Sequence, residues 1–259
     1  MFDTLERFRA RLSQGEVLIG AGVALADPLV TEALAGSVDF VWLDQEHTAI
    51  SPEALRGHLL AARAAGVMAV VRVPGTGAAL LKSVLDAGAP GVVVPQVRTV
   101  EEVRQTVADC RYPPVGQRGV GPWIPTNYGR ANWSEYVERA NRLIFVTVMI
   151  ETADAVEAID EITAIPGLDS VVLGPWDLSG SLGVLGQVEH PKVVAAMEKV
   201  IASARRAGVL VGSGMGVDPA FACAQARRGV QWLQVGGDCA YLIRSADQVT
   251  AAIRDGLTK

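Results

Sequence analysis

The sequence predicts an α/β fold in which eight parallel strands alternate with helices in one (β/α)8 TIM barrel domain. Short apolar runs rich in Val, Ile and Leu recur eight times, and helical segments separate them. The length of 259 residues suits one such barrel, which commonly has about 250. The eight runs are Val17–Ala24, Phe40–Leu43, Met68–Val73, Gly91–Val94, Ile144–Ile150, Ser170–Leu173, Val209–Gly212 and Trp232–Val235.

Amphipathic segments between these runs predict the helices, and their ends carry the expected signals. Ser51 and Asp218 each precede a proline, as an N-cap residue precedes an N1 proline. Gly66 and Gly208 follow helical segments, where glycine commonly ends a helix. An extra helix is predicted before the first strand. The other helices are predicted at Pro28–Ala35, Pro52–Ala65, Ala78–Ala87, Thr99–Asp109, Ala153–Thr163, Pro191–Ala207, Pro219–Arg228 and about 246–257.

The segment between the fourth and fifth strands departs from this alternation. Residues 111–142 contain several prolines and glycines, and we predict a long irregular loop there, of the kind that often forms a lid or a binding loop. A doubly wound open sheet is the alternative fold. It is disfavoured because no glycine-rich G-x-G-x-x-G turn follows the first strand.

Composition excludes several classes of function. A net charge of −5 without a basic run argues against nucleic acid as the main partner. No window approaches the ~20 apolar residues of a membrane helix, and the first twelve residues lack the apolar core of a signal peptide. Cys110, Cys223 and Cys239 match neither a zinc motif nor a disulfide framework. We therefore expect a cytoplasmic protein whose thiols mostly serve packing.

Polar residues follow four of the apolar runs, at the end of a barrel where active sites lie. Asp44, Glu46 and His47 follow the second run, Arg72 interrupts the end of the third, Glu151 follows the fifth, and 174–177 follow the sixth. Burial of such groups costs free energy when they have no partner or purpose. Helix caps or loop ion pairs would explain any one of them, but all four together indicate a site.

The chemistry of these side chains suits a 2-oxo acid. The carboxylates of Glu151 and Asp177, with water and substrate oxygens, suit Mg²⁺ or Mn²⁺. Arg72 offers a positive fork for a carboxylate or a developing enolate. The backbone of the 174–175 turn is expected to face a small anion.

A proton carrier is predicted beside this oxygen-rich site. Histidine is the side chain whose ordinary pKa lies nearest neutrality, so His47 suits a general base. Asp44 and Glu46 are expected to orient it or a metal-bound water.

The lysines do not favour the alternative Schiff-base route. A Schiff-base aldolase needs a lysine amine at its site, but three of the four lysines fall in predicted helices and the fourth ends the chain. They are Lys82, Lys192, Lys199 and Lys259. A metal is therefore the expected electron sink.

In this order, the strand-end motifs resemble those of the HpcH/HpaI family of class II pyruvate aldolases, and the resemblance covers nearly the whole chain. The segments that carry it are Leu43–His47, Val71–Val73, Leu85–Ala89, Val94–Val97, Arg111–Pro114 with Gly116, Arg118 and Gly119, Ile150–Thr152, and Gly174–Ser179.

The resemblance implies a role for each site residue. Glu151 and Asp177 look like the ligands of a divalent metal (Mg²⁺, Mn²⁺ or Co²⁺), His47 like the general base and Arg72 like the residue that stabilises the pyruvate enolate. Asp86 matches the acidic partner of the histidine. Its predicted helix ends on the far face of the barrel, so we hypothesise that Asp86 serves His47 of a neighbouring chain. That agrees with the family's hexamers, which are trimers of dimers.

Two residues depart from the family pattern near the expected substrate. Met149 stands where members often carry Gln, and Trp176 stands where a small residue is common. Together with Arg72, Gly174, Pro175 and Asp177, they form the predicted substrate-binding set. These departures leave the metal and enolate chemistry intact and bear on which substrate is used.

The leading expectation is a lyase that cleaves a 4-hydroxy-2-oxo acid reversibly to pyruvate and an aldehyde. Oxaloacetate decarboxylation, or its condensation as in citrate- or macrophomate-forming relatives, is the alternative enzyme. A binding protein with a vestigial site is the third reading, and the retained His47, Arg72, Glu151 and Asp177 argue against it.

Overall fold

The computed structural model describes residues 2–258 and confirms the predicted barrel. Eight parallel strands follow one another in chain order, and the eighth pairs with the first to close the sheet. The strands are β1 (Leu18–Val23), β2 (Phe40–Asp44), β3 (Met68–Arg72), β4 (Gly91–Val94), β5 (Phe145–Ile150), β6 (Ser170–Leu173), β7 (Leu210–Met215) and β8 (Trp232–Gly237).

Helices connect the strands and cover the outside of the barrel, as doubly covered parallel strands require. They are α1 (Phe2–Ser13), α2 (Leu29–Ala35), α3 (Pro52–Ala65), α4 (Ala78–Asp86), α5 (Val100–Cys110), α6 (Trp133–Leu143), α7 (Ala153–Glu157), α8 (Ile159–Thr163), α9 (Pro175–Ser181), α10 (Pro191–Ala207), α11 (Pro219–Arg228) and α12 (Asp238–Leu257). Among residues 2–258, no helix is long and apolar enough to cross a membrane.

The predicted extra helix α1 closes the amino-terminal end of the barrel. Phe8 on α1 packs edge-on against Phe40 and Phe145, with ring centroids 5.7 and 5.6 Å away, and against Trp232 at 6.4 Å. These three aromatic residues begin β2, β5 and β8. These rings fill the amino-terminal end of the barrel. A substrate can therefore enter only from the opposite end, where the strands finish.

Close packing at the start of β8 gives a prediction for stability. Gly212 pairs with Trp232 across β7 and β8, and a methyl group at Gly212 would lie 2.3 Å from the indole ring. Gly212→Ala is therefore expected to lower the free energy of unfolding by about 1–3 kcal/mol, as overpacking does. Urea denaturation measures this change. Gly256→Ala is the control, since open space surrounds Gly256 within α12 and alanine favours a helix there. Equal stability of the two variants would contradict the expectation.

Several predicted boundaries were wrong. The loop predicted over 111–142 contains α6, whose N-cap Asn132 accepts hydrogen bonds from Ser134 and Glu135 and whose buried face carries Tyr136 and Ala140. The long helix predicted over 153–163 is two short helices that meet at Ala158. A short helix, α9, follows β6 directly, and α12 begins at Asp238 rather than near 246.

The expectation that the thiols mostly serve packing was also wrong. Cys110 is buried in the core, but Cys223 and Cys239 are exposed. Both exposed cysteines lie on helices outside the barrel sheet, in α11 and α12.

Candidate active site

The predicted polar residues meet where the strands finish. Asp44 and Arg72 are the last residues of β2 and β3 and lie opposite each other in register. Glu151 comes directly after β5, and Gly174 directly after β6. The closed parallel sheet therefore brings residues more than 100 positions apart in sequence to one end of the barrel.

Arg72 is held rigidly by two carboxylates. Its Nε and Nη2 atoms donate hydrogen bonds to the two oxygens of Asp44 at 2.8 and 2.6 Å, and its Nη1 atom lies 3.0 Å from Glu46 Oε2. The guanidinium carbon also lies 5.7 Å from the centre of the Trp42 ring. A guanidinium has five N–H bonds, and three are directed at these carboxylates. Two remain for an anionic ligand.

Glu46, rather than Asp44, lies beside the predicted base. Glu46 Oε2 is 3.5 Å from His47 Nε2, whereas both oxygens of Asp44 bind Arg72. Burial raises the pKa of Glu46, and the positive charges of Arg72 and His47 oppose that rise. The His47 side chain is 64% exposed. It is therefore open to solvent, to a substrate or to another chain.

Glu151 is the most buried acidic group of the site. It is 2% exposed, and its Oε1 atom accepts a 2.6 Å hydrogen bond from the backbone N–H of Gln96. Burial raises the pKa of Glu151 to about 7, the Gln96 hydrogen bond opposes this, and the charge of Asp177 adds to it. Near neutral pH this carboxyl group therefore releases its proton to solvent easily, and the carboxylate left is free to bind a cation.

Gln96 is a residue of the site that the sequence reasoning did not name. It follows β4 and adopts a positive φ of 58°, which is uncommon for a residue other than glycine. This turn aims its N–H at Glu151. The Val94–Val97 segment had been noted only as a family motif. The sequence carries no signal for this turn, because a positive φ is not expected at a residue other than glycine.

Asp177 lies in the first turn of α9 and is exposed. Its charge raises the pKa of both Glu151 and Glu46, so the three carboxylates form one negative cluster. Within residues 2–258, no group of three or more His, Cys, Asp or Glu side chains is arranged so that it could hold a metal ion. The buried Glu151 and exposed Asp177 fit an open site, in which two carboxylates hold a hard divalent cation and water or substrate completes its shell.

Gly174 leaves the space that the Glu151 carboxylate occupies. A methyl group at Gly174 would lie 2.7 Å from Glu151 Oε2 and 3.0 Å from its Cβ atom. Gly174→Ala is therefore expected to displace the carboxylate. A divalent metal held by Glu151 would then bind roughly 10–100-fold more weakly, the range seen when the support of a ligand is lost. Titration with Mn²⁺ followed by electron paramagnetic resonance measures this. Gly36→Ala, where nothing lies within 4 Å, is the control. Unchanged Mn²⁺ affinity in Gly174→Ala would show that Glu151 does not bind the metal.

Comparison with known proteins places the chain. The model of a family described as HpcH/HpaI aldolase/citrate lyase matches residues 22–245. The chain belongs to this family. It is 33% identical over 258 residues to the hydroxypyruvate/pyruvate aldolase of Roseobacter denitrificans, with 97% of this chain and 98% of that protein covered.

Solved structures support the same family assignment. An HpcH/HpaI aldolase from Desulfitobacterium hafniense DCB-2 has a TM-score of 0.89 and 38% identity over 95% of this chain and 96% of that chain. Macrophomate synthase has a TM-score of 0.85 and 30% identity over 100% of this chain and 90% of that chain. The relatives support a carbon–carbon lyase of the general aldolase type, without specifying its substrate.

The two departures from the family pattern lie on either side of Gly174. Met149 is buried, and its methyl group would lie 3.3 Å from a methyl group placed at Gly174. Pro175 is buried at the start of α9, while the following Trp176 is 58% exposed. The space at Gly174 is therefore bordered by the Glu151 carboxylate and by the apolar Met149 side chain.

Asp86 is the one predicted site residue that lies away from the other site residues within a single chain. It is the last residue of α4, and its Oδ1 atom accepts a 2.6 Å hydrogen bond from Arg118, whose side chain is fully buried. Helices return to the amino-terminal end of a (β/α)8 barrel, so Asp86 lies on the face opposite His47. Its action on a histidine of another chain stays a prediction.

Proposed function

We propose that this protein is a divalent-metal-dependent class II aldolase that cleaves 4-hydroxy-2-oxo acids reversibly to pyruvate and an aldehyde. The observation that carries the proposal is the buried Glu151 carboxylate. Burial and the charge of Asp177 raise its pKa to about 7. A second carboxylate beside a buried one is costly unless a cation joins them. The rigid Arg72 fork at the same end of the barrel suits an enolate oxygen.

Glu151 and Asp177 would hold the metal, for which Mg²⁺, Mn²⁺ and Co²⁺ are the candidates. When bound, such an ion polarises the carboxylate and keto oxygens of a 2-oxo acid. The two free N–H bonds of Arg72 stabilise the oxygen of the pyruvate enolate as the C3–C4 bond breaks. His47, which is exposed and 3.5 Å from Glu46, accepts the proton of the C4 hydroxyl group and returns it to C3 of the enolate, which completes pyruvate. Reversal of these steps joins pyruvate to the aldehyde.

The test of this proposal is the metal dependence of retro-aldol cleavage. Pyruvate released from a panel of 4-hydroxy-2-oxo acids is followed with lactate dehydrogenase. We expect turnover with Mg²⁺, Mn²⁺ or Co²⁺, loss with EDTA and recovery on addition of metal. Cleavage that persists in EDTA, or tight 2-oxo acid binding without any turnover, would overturn the proposal, and the latter would favour a binding protein.

Condensation or decarboxylation of oxaloacetate is the second candidate function. The similarity to macrophomate synthase favours it, because that relative spans 100% of this chain at a TM-score of 0.85. The same Arg72 fork would stabilise an enolate formed by loss of CO₂. Product analysis with oxaloacetate, in the presence and absence of an aldehyde, separates this reaction from reversible aldol cleavage.

A homo-oligomer, namely a hexamer built as a trimer of dimers, is part of the proposal. The 20-residue helix α12 buries Asp238 but leaves its apolar side chains in solvent. The exposed apolar residues are Leu242, Ile243, Val249, Ile253 and Leu257. A row of apolar residues on a long helix supports contact with another copy of the chain. A cytoplasmic location is likewise proposed, on the spacing of the cysteines.

Complementation tests whether Asp86 of one chain serves His47 of another. Inactive Asp86→Asn and His47→Ala chains, dissociated and reassembled together, are expected to recover part of the activity, since mixed contacts then hold one intact pair. Light scattering gives the assembly size. Failure of the mixed assemblies to regain activity would confine the site to one chain.

A further inference from the structure

The rim of the site beside Asp177 carries an exposed apolar surface, which we call the Trp176 platform: Trp176, Gly180, Leu185 and Gly186. The Trp176 side chain is 58% exposed and Leu185 is 76% exposed. Within residues 2–258, the Trp176 ring has no aromatic or cationic partner. An indole left in solvent next to a catalytic site is available for a ligand.

The platform has a defined shape. Trp176 and Gly180 are four residues apart on α9 and so share one helix face. Leu185 fills the space over Gly180, because a methyl group there would lie 3.1 Å from Leu185 Cδ1. The Trp176 ring likewise lies 3.5 Å from the methyl position of Gly186. The indole and the leucine are thus held side by side.

One buried hydroxyl fixes both halves of the platform. Ser179, which is fully buried, donates to the Trp176 carbonyl at 2.6 Å and accepts from the Gly186 N–H at 2.9 Å. The turn that carries Leu185 is therefore tied to the first turn of α9. A preorganised surface of this kind binds a flat group with little ordering cost.

The segment that carries the platform has no positively charged side chain that could bind a second carboxylate. From Trp176 to Val188, Asp177 is the only charged residue. Its negative charge repels an anionic tail unless the metal neutralises it. Met149, buried beneath Gly174, adds another apolar group rather than a hydrogen-bond donor. The apolar side chains of the platform therefore favour a ligand with a planar, uncharged group.

We propose that Trp176 determines acceptor specificity and that the aldehyde used by this protein is aromatic, its ring stacking on the Trp176 platform. This inference rests on the proposed aldolase function and names its substrate class. Trp176 and Asp177 are consecutive exposed residues in the first turn of α9, and the charge of Asp177 acts on Glu151. The group attached to C4 of a 2-oxo acid held at Asp177 would therefore be within reach of the platform. Offset aromatic contacts supply the attraction.

The test measures binding, so that it does not depend on turnover. Three 2-oxo acids that lack a C4 hydroxyl group, and so cannot be cleaved, are titrated calorimetrically into the Mg²⁺-loaded protein. They are 4-phenyl-2-oxobutanoate, 2-oxoglutarate and 2-oxobutanoate. The phenyl compound is expected to bind at least about 10-fold more tightly than 2-oxoglutarate, given the strength of aromatic stacking with apolar burial. Trp176→Ala is expected to remove that preference, and Trp176→Phe to keep most of it.

Trp133→Ala is the matched control, since Trp133 is also exposed but lies on α6. It is expected to leave the preference unchanged. A preference for 2-oxoglutarate, or one that survives Trp176→Ala, overturns the inference while metal-dependent cleavage of any 4-hydroxy-2-oxo acid still supports the aldolase. If none of the three compounds binds, both the inference and the proposed function are overturned.

Discussion

Replacement of Glu151 by glutamine is expected to abolish turnover while making the metal-free protein more stable at pH 8. Glutamine keeps the oxygen that accepts the Gln96 N–H but removes the charge that a cation needs. Metal polarisation contributes several kcal/mol, so turnover should fall by about 10³-fold or more. The gain in stability arises because a buried charge disappears from a site that already contains Asp177.

The sign of the pH effect follows from the raised pKa of Glu151. Its pKa is about 7 in the folded protein against 4.5 for a solvated glutamate side chain. The folded state therefore binds the extra proton, and this contribution to stability is complete below pH 4.5 and is lost as the pH rises through 7. Glu151→Gln does not titrate, so its advantage over the wild type should grow from near zero at pH 4.5 to about 3 kcal/mol at pH 8.

Urea denaturation in EDTA at several pH values measures this difference. Glu157→Gln is the control, because Glu157 is exposed on α7 and should show no such trend. An advantage of Glu151→Gln that is independent of pH, or a loss of stability at pH 8, would contradict the account of a buried carboxylate awaiting a cation.

Loss of the Arg72 fork is expected to have the second large effect, on both activity and stability. Arg72→Ala leaves Asp44 and Glu46 part-buried without their cation, and breaking such a pair costs about 3–5 kcal/mol when it is well buried. Arg72→Lys keeps the charge but cannot donate in parallel to both oxygens of Asp44 and also to a substrate. We expect its kcat to fall by about 10²–10³-fold, as when one oxyanion donor is removed.

A double variant separates the two effects of Arg72. Arg72→Ala combined with Asp44→Asn removes both charges of the pair, so part of the lost stability should return while activity stays absent. Thermal denaturation and pyruvate release provide the two readouts. Arg104→Ala, which removes an exposed ion pair on α5, should change neither by much. If Asp44→Asn rescues activity as well, Arg72 does not act on the substrate.

The barrel could be predicted from sequence because its eight strands are apolar and helical segments separate them. The polar residues that interrupt or follow β2, β3, β5 and β6 could be predicted as a site for the same reason, since each stands out against an apolar run. The pairing of Arg72 with Asp44 could not, because strand register is not visible in the sequence. This pairing of Arg72 with Asp44 leaves Glu46 as the carboxylate nearest His47.

Local backbone geometry limited the rest. The Gln96 turn depends on a positive φ at a residue other than glycine, which composition does not signal. The helix α6 was missed because prolines and glycines before Asn132 obscured its periodic buried face. The partner of Asp86 within the chain, Arg118, lies 32 residues away in the loop between α5 and α6, so the helical pattern of α4 does not reveal it.

The central claim is that this end of the barrel stabilises the enolate of pyruvate with the help of a metal. Exchange of the C3 protons of pyruvate with D₂O, followed by NMR, tests it without the aldehyde. We expect exchange with Mg²⁺, Mn²⁺ or Co²⁺, and its loss with EDTA and in Glu151→Gln and Arg72→Lys, while Glu157→Gln exchanges normally. Exchange that continues in EDTA, or is absent with every metal, would contradict the claim.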